Sequence, residues 1–348
     1  MTEEKYHGII TRGVGGLYGV RITSGQGDIG EEEILCRARG IFRRENLTPT
    51  VGDEVVVGPA KADDTDYLRD EASDEPSKRF KKNKKDKGAE VNFVIEEVLE
   101  RKNLLIRPPV ANLDYLFAVI PCASPEPDLL TADKLTVIAE NYGIETVIVV
   151  NKADLDPARA EEMKEIYNLA GYRVFLLSCE SGEGIAALGE YIAEISREAE
   201  AQGRHISGAF AGVSGAGKST LMTALFPDLQ LKTGSVSHKT ERGRHTTRHV
   251  ELYPLRVNDS IFWLADTPGF SMLDFTRFDF FPYDELAGSF REFADLIGEC
   301  KYRKCTHLKE EGCAVIEKVK SGEISSSRHD SYVRIYDEQR SVPQWKRR

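Results

Sequence analysis

The sequence predicts a multidomain chain: a small all-β barrel, an α/β domain built on a parallel sheet, and a small α-rich terminal domain organised by a metal. Three observations carry this. Short apolar runs punctuated by glycine fill residues 1 to about 107. Continuous apolar strands alternate with amphipathic helices from residue 114 onward. Cys300, Cys305, His307 and Cys313 then crowd into the tail. A length of 348 residues allows two or three such domains, each with its own core.

Composition narrows the class. With 41% hydrophobic and 30% charged residues the chain reads as a soluble globular protein. No apolar run approaches the ~20 residues of a membrane span, and the polar start Met1-Thr2-Glu3-Glu4-Lys5 is unlike a signal peptide. A cytoplasmic protein with no membrane partner is expected. The net charge of −10 gives no global support for nucleic-acid binding, so any such surface must be local.

In residues 1–107 the strand candidates are Gly8-Ile9-Ile10, Leu17 to Ile22, Ile34 to Ala38, Glu54 to Val57, Asn92 to Ile95 and Asn103 to Ile106. An oligonucleotide/oligosaccharide-binding (OB) barrel fits this size, and a different small barrel fits the pattern about as well. Residues 60–90 interrupt it. Asp63, Asp64, Asp66, Asp70, Glu71, Asp74 and Glu75 precede Lys78, Arg79, Lys81, Lys82, Lys84, Lys85 and Lys87, which reads as a mobile charged insertion between strands. Pro108-Pro109 marks the boundary.

The second domain, 108–280, is predicted to run strand 114–120, helix 131–142, strand 146–150, helix 157–170, strand 173–177 and helix 184–200 before a glycine-rich loop. That loop follows the small, apolar stretch 207–211 and reads Gly212-Val213-Ser214-Gly215-Ala216-Gly217-Lys218-Ser219-Thr220, a G-x-x-x-x-G-K-S sequence. Its glycines let backbone N–H groups curl round phosphates at the positive end of the next helix. Lys218 is placed to reach the β- and γ-phosphates, and the Ser219 hydroxyl to hold Mg²⁺. The bland reading is a Gly/Ser turn before an ordinary helix.

Two further motifs choose the nucleotide. Asn151-Lys152-Ala153-Asp154, past a strand end, is an N-K-x-D sequence. A carboxylate at Asp154 accepts the N1–H and exocyclic amine of guanine, which adenine does not offer, and Asn151 and Lys152 brace the loops around the base. Ser178-Cys179-Glu180 ends the next strand, placed to give a backbone N–H to the base oxygen. Asp266-Thr267-Pro268-Gly269 follows another apolar strand, with Asp266 set to hold Mg²⁺ through water and the Gly269 N–H to meet the γ-phosphate. One threonine of Gly243-Arg244-His245-Thr246-Thr247-Arg248 completes the Mg²⁺ shell, Thr247 preferred over Thr246 with little to separate them. Phe270 stands where many GTPases carry a water-orienting Gln. His245 is therefore the candidate to align the attacking water, its bland alternative being contact with RNA or solvent.

The order of these motifs is unusual. In an ordinary small GTPase the phosphate loop comes first and the base-reading motif last. Here the base-reading motifs precede it, as they do when the old termini are joined and the chain is cut after the second switch: a circular permutation. The tail, 281–348, places Cys300-x4-Cys305-x-His307-x5-Cys313 between mixed-charge segments at 284–298 and 314–340 that look helical. Three thiols and an imidazole are a closed structural Zn²⁺ set, against the plain alternative of free cysteines with a chance histidine.

Taken together, the permuted motif order, the Gly-Arg-His-Thr-Thr run and the Cys/Cys/His/Cys spacing resemble the ribosome small-subunit-dependent GTPase A family of bacteria, over nearly the whole chain. The resemblance implies a GTP hydrolase that acts late in maturation of the small ribosomal subunit, binds rRNA, is stimulated by the subunit, uses Mg²⁺ with GTP and carries one structural Zn²⁺. A monomer is expected. The alternative is a nucleotide-dependent RNA-binding module without significant turnover. A kinase using the same loop is the weaker competitor, because Asp154 and Gly269 are parts of a switch.

Overall fold

In a computed structural model, the residues described are 5–25, 33–44, 47–60, 92–106, 108–227, 229, 250–266 and 283–341. They fall into two compact units, one made of the chain up to Asn112 with the stretch 249–253, the other from Leu113 onward.

The first unit is a five-stranded closed barrel. Strands β1 (Tyr6–Val14), β2 (Leu17–Gly25), β3 (Glu33–Ala38), β4 (Glu54–Pro59) and β5 (Phe93–Val98) follow one another, with the short helix α1 (Ile41–Arg44) between β3 and β4. The hydrogen-bonded order is β1-β2-β3-β5-β4, and β4 returns to pair with β1. The β3–β5 pair is parallel and the other pairs are antiparallel, which is the Greek-key closure of an OB barrel. The barrel strands carry continuous buried apolar runs: Val55, Val56 and Val57 of β4, Val94 and Ile95 of β5 and Val20 of β2 are buried, while Glu54 at the start of β4 is exposed. The charged insertion expected at 60–90 falls between β4 and β5, and from residue 61 on it lies outside the described residues.

After β5, the pair β6 (Leu104–Ile106) and β7 (Pro109–Ala111) forms a separate ribbon. Of the expected strand 103–106, residues 104–106 are strand but lie outside the barrel, and the first unit continues past Pro108-Pro109 to Asn112. Gly52 explains the continuation. At φ +91 its α-carbon lies so close to Ala111 that a Cβ would sit 2.1 Å from that residue's carbonyl oxygen. Buried Asp53 next to it takes a bidentate bond from Arg101 at 2.6 and 2.8 Å.

The second unit holds a parallel sheet in the order β10-β9-β8-β11-β13. Its strands are β8 (Tyr115–Pro121), β9 (Glu145–Asn151), β10 (Arg173–Leu176), β11 (Ser207–Ala211) and β13 (Ser260–Asp266), with β12 (Glu251–Val257) leading through Asn258-Asp259 into β13. Helices α2 (Leu129–Asn141), α3 (Pro157–Leu169), α4 (Ile185–Ala201) and α5 (Lys218–Leu225) make the crossovers. Phe117, Ala118, Val147 to Val150 and Ala209 are buried, as strands covered on both faces require. From β8 the chain winds toward β10, and from β11 toward β13, so the topological switch point lies between β8 and β11, where open α/β sheets bind ligands.

The tail belongs to this same unit. Residues 286–289 and 291–296, expected as one helix, form two 3-10 turns instead. Phe290 breaks them: its backbone is extended, and its ring is buried against Phe293 and Tyr332. The helical stretch 314–340 is split by Gly322 in the left-handed conformation, giving α6 (Ala314–Ser321) and α7 (Ser326–Ser341). Leu286, Phe290, Phe293, Val315, Ile335 and Tyr336 form a core that takes in Val137 of α2.

Candidate nucleotide site and metal centre

The phosphate loop begins where β11 ends. Gly212 is at φ +142, and a Cβ there would stand 2.1 Å from Val119 O on β8. Gly217 is at φ +93, and a Cβ would stand 2.2 Å from Asn151 Nδ2. Neither position accepts a side chain, because strained backbone and steric conflict coincide. The intervening Ser214 and Gly215 are exposed while Ala216 is fully buried. Ser219 and Thr220, on the first turn of α5, are exposed at the carboxyl edge of the sheet.

Lys218 Nζ donates to Gly212 O at 2.7 Å and Val213 O at 2.8 Å, folding back over the loop. Burial lowers its pKa. An arriving polyphosphate supplies the negative charge that offsets this, so the ammonium is held ready for an anion.

Asn151 is the hub that brings the sequence motifs together. It is buried at the end of β9, one strand from the switch point. Its Nδ2 donates to Ala216 O at 2.8 Å, and its Oδ1 accepts from Lys152 N at 2.8 Å and Cys179 N at 3.3 Å. One amide thus ties the phosphate loop, its own loop and the loop after β10. Lys152 adopts φ +63, accepts the Cys122 thiol on its carbonyl at 2.8 Å and bonds Ser124 O through Nζ. Asp154 stands exposed on the same loop. Ser178 is buried, its Oγ accepting from Ser181 N at 3.1 Å and its N–H donating to Glu183 O at 3.0 Å. Cys179 is half-buried, and burial raises its thiol pKa.

Asp266 ends β13, which runs parallel to β11, and so lies at the same sheet edge as Gly212. His245, Thr246, Thr247, Gly269 and Phe270 lie outside the described residues.

The four metal candidates converge. The ligand atoms of Cys300, Cys305, His307 and Cys313 all lie within 4.8 Å of one another. Cys300 Sγ is 3.8 Å from Cys313 Sγ, and His307 Nδ1 is 3.5 and 3.4 Å from these two sulfurs. A tetrahedron with Zn–S bonds of about 2.3 Å has S···S edges of about 3.8 Å and S···N edges of about 3.5 Å, so the face made by Cys300, His307 and Cys313 has the size of one in a zinc site. Burial lowers the His307 pKa and favours the neutral, ligating imidazole. Burial and the neighbouring thiols push Cys305 up to about 12, a cost that a bound cation reverses. Around the set, Ala314 N donates to Cys300 Sγ at 3.3 Å, His329 Nε2 to His307 O at 2.8 Å, and Tyr332 OH to Thr306 O at 2.7 Å.

One feature of this unit escaped the sequence reading. Arg328 of α7 is buried with Asp133 of α2 and Glu292, their side chains 1%, 1% and 3% exposed. Its Nη1 donates to Asp133 Oδ1 at 2.6 Å and Thr136 Oγ1 at 3.1 Å, and Nε and Nη2 go to the Glu292 carboxylate at 2.7 and 3.1 Å. Burial works against the charge, but the two carboxylates hold the guanidinium protonated well above its usual range. Asp133 lies in an apolar helix and Arg328 far away in a polar one, so no periodicity announces the pair.

Comparisons with known proteins point to one family. A family model described as RsgA GTPase matches residues 98–276, and one described as RsgA N-terminal domain matches residues 7–65. The small ribosomal subunit biogenesis GTPase RsgA of Ruminiclostridium cellulolyticum is 36% identical over 339 residues, covering 97% of this chain and 95% of the relative. That of Alkaliphilus metalliredigens is 35% identical over 334 residues, covering 95% and 97%. Among solved structures, YjeQ from Thermotoga maritima superposes with a TM-score of 0.71 at 30% identity, covering 97% of this chain and all of that one. YloQ, described as a circularly permuted GTPase, gives 0.67 at 30% identity over 98% and 97%. With its motifs in permuted order on one sheet and a barrel ahead of them, the chain belongs to the RsgA GTPase family and is a GTP-hydrolysing enzyme.

Proposed function

We propose that this protein is a GTP-driven switch in late maturation of the small ribosomal subunit, binding its rRNA and hydrolysing GTP faster when bound. The single observation that carries the reading is the Asn151 junction, which welds a guanine-type N-K-x-D loop to a phosphate loop on the permuted sheet. The relatives named as small ribosomal subunit biogenesis GTPases match over nearly the full length and supply the partner.

In this reading the polyphosphate lies over the backbone amides of Gly212 to Thr220, with Lys218 turned from the loop carbonyls onto it. Asp154 pairs with the guanine edge. The Cys179 N–H, whose bond to Asn151 is long, serves the base oxygen. Ser219, Thr247 and Asp266 would hold the Mg²⁺ that accompanies the nucleotide, and the ion would neutralise charge on the phosphates. Gly269 senses the γ-phosphate, and His245 aligns the attacking water. Zn²⁺ is held by Cys300, Cys305, His307 and Cys313 and is structural, since all four positions are taken by protein. The functional modules are 1–107, 108–280 and 281–348. The protein acts as a cytoplasmic monomer.

The test is GTP turnover with and without purified small subunits, together with subunit affinity measured with a non-hydrolysable GTP analogue and with GDP. Stimulated turnover and tighter docking in the analogue state are expected. By reciprocity the subunit then strengthens analogue binding by the same factor. Equal affinities in the two states would show that the nucleotide does not control docking, and absent turnover would favour an RNA-binding module that only carries nucleotide.

A further inference from the structure

We infer that Arg328 is a positioning residue for the phosphate loop, acting through α2. The inference rests on the reading that Gly212 to Thr220 holds the nucleotide phosphates.

Helix α2 has two neighbours of different kinds. Its middle carries Asp133 and Thr136, both bonded by the buried Arg328 guanidinium. Tyr167 OH adds a bond to Asp133 at 3.0 Å, and Ser331, three residues along α7, bonds the same carboxylate. Its N-terminal half, capped by Asp128 on Thr131 N, borders the phosphate loop: Asp128, Thr131 and Leu135 line a cavity of about 10 Å³ with Gly212 and Val213. A space that small holds at most one water, so loop and helix abut and a shift of one is felt by the other.

Helix α7 is equally divided. Arg328 and Ser331 turn to α2, while His329 and Tyr332 hold the carbonyls of His307 and Thr306 in the metal loop. The metal-bearing tail and the phosphate loop therefore press on opposite sides of a two-helix relay, with Arg328 at the joint. Its guanidinium fork is fixed by three polar partners and stacks 4.7 Å over the Phe290 ring, so it sets α2 in one place rather than merely neutralising charge.

The experiment uses the full metal-loaded chain and a fluorescent GDP analogue, whose release rate is followed well below the melting temperature. Three variants are compared: Arg328→Met, Arg328→Lys, and Asp133→Asn, Glu292→Gln and Arg328→Met together. The triple variant removes the carboxylates that the single one leaves buried and unpaired, and so keeps the test valid if the single variant fails to fold. The expected result is release about fivefold or more faster in the Met variants, with bound zinc unchanged. The triple variant is expected to recover melting temperature without recovering slow release, and the Lys variant to fall between. Release within twofold of the native rate in any folded Met variant would overturn the inference. So would a release rate that returns to native in step with the melting temperature. A native protein that binds no GDP would instead remove the nucleotide-site reading itself.

Discussion

The side-chain amide of Asn151 donates to the carbonyl of Ala216 at 2.8 Å, so one residue at the end of β9 holds shut the loop that follows β11. Its amide nitrogen occupies the space that a side chain at position 217 would need. Exchange of Asn151 for Ala therefore orphans the buried Ala216 carbonyl and the Cys179 N–H together. Leaving such groups unpaired costs about 1–3 kcal/mol, and affinity for GDP and GTP should fall by roughly ten- to a hundredfold. Isothermal titration checks this. Affinities within twofold of native would mean that the junction does not shape the phosphate site.

Asp154 is exposed beside this junction, free to meet a base edge. Asp154→Asn replaces two acceptors with one acceptor and one donor. GTP affinity should fall and xanthosine triphosphate should be better accepted relative to GTP, with folding unaffected because the side chain is not packed. Competition binding with the two nucleotides decides it, and undiminished GTP binding counts against the assignment.

For the metal centre, elemental analysis should find one zinc per chain. Removal by a strong chelator leaves three thiols and a buried imidazole crowded within 4.8 Å. The melting temperature should drop and return on adding Zn²⁺. Native protein without stoichiometric metal would remove the centre from the account.

Glu310 gives the same loop a pH dependence. Burial raises its pKa, but bonds from the Thr306 hydroxyl and the Thr306 and Lys309 N–H groups outweigh this and hold it down at about 2. A carboxyl with a depressed folded pKa stabilises above its unfolded value near 4.5 and loses that contribution as pH falls toward 2. Glu310→Gln should therefore be less stable than native at pH 6, and the gap should narrow below pH 4.5. Denaturant unfolding of both proteins across this range measures it; a gap independent of pH would mean that Glu310 stabilises by its shape alone.

The phosphate loop and the Cys/His cluster could be picked out because each is a local pattern in sequence. A phosphate loop needs its glycines and lysine in a fixed short register, and three cysteines and a histidine within one loop, their ligand atoms within 4.8 Å of one another, declare a candidate metal set. The α/β alternation was legible for a similar reason: apolar runs such as 146–150 are buried on both faces. What stayed hidden is long-range. Arg328 and Asp133 are 195 residues apart, and nothing in the charge pattern of α7 separates the buried arginine from the exposed Arg334. The segment 284–298 carries a helical pattern, yet burial of Phe290 in the tail core makes the chain extended there and leaves only 3-10 turns. Between residues 108 and 112 a ribbon and the tight Gly52–Ala111 approach keep the chain in the first compact unit, a contact between distant residues that no local pattern announces. Tertiary packing overrode local signals in each case.

The permuted order also sets the sequence of events on the machine that makes this chain. Translation delivers the Asn151 loop first and the phosphate loop only after α4 and β11 have followed, several seconds later at about 5–20 residues per second. A nascent chain that stops after α4 can lay down β8, β9 and β10 side by side, but it lacks both the Ala216 carbonyl that Asn151 closes on and β11, the inner strand of the finished sheet. The sheet that joins these two loops is therefore completed only when its second half has left the exit tunnel.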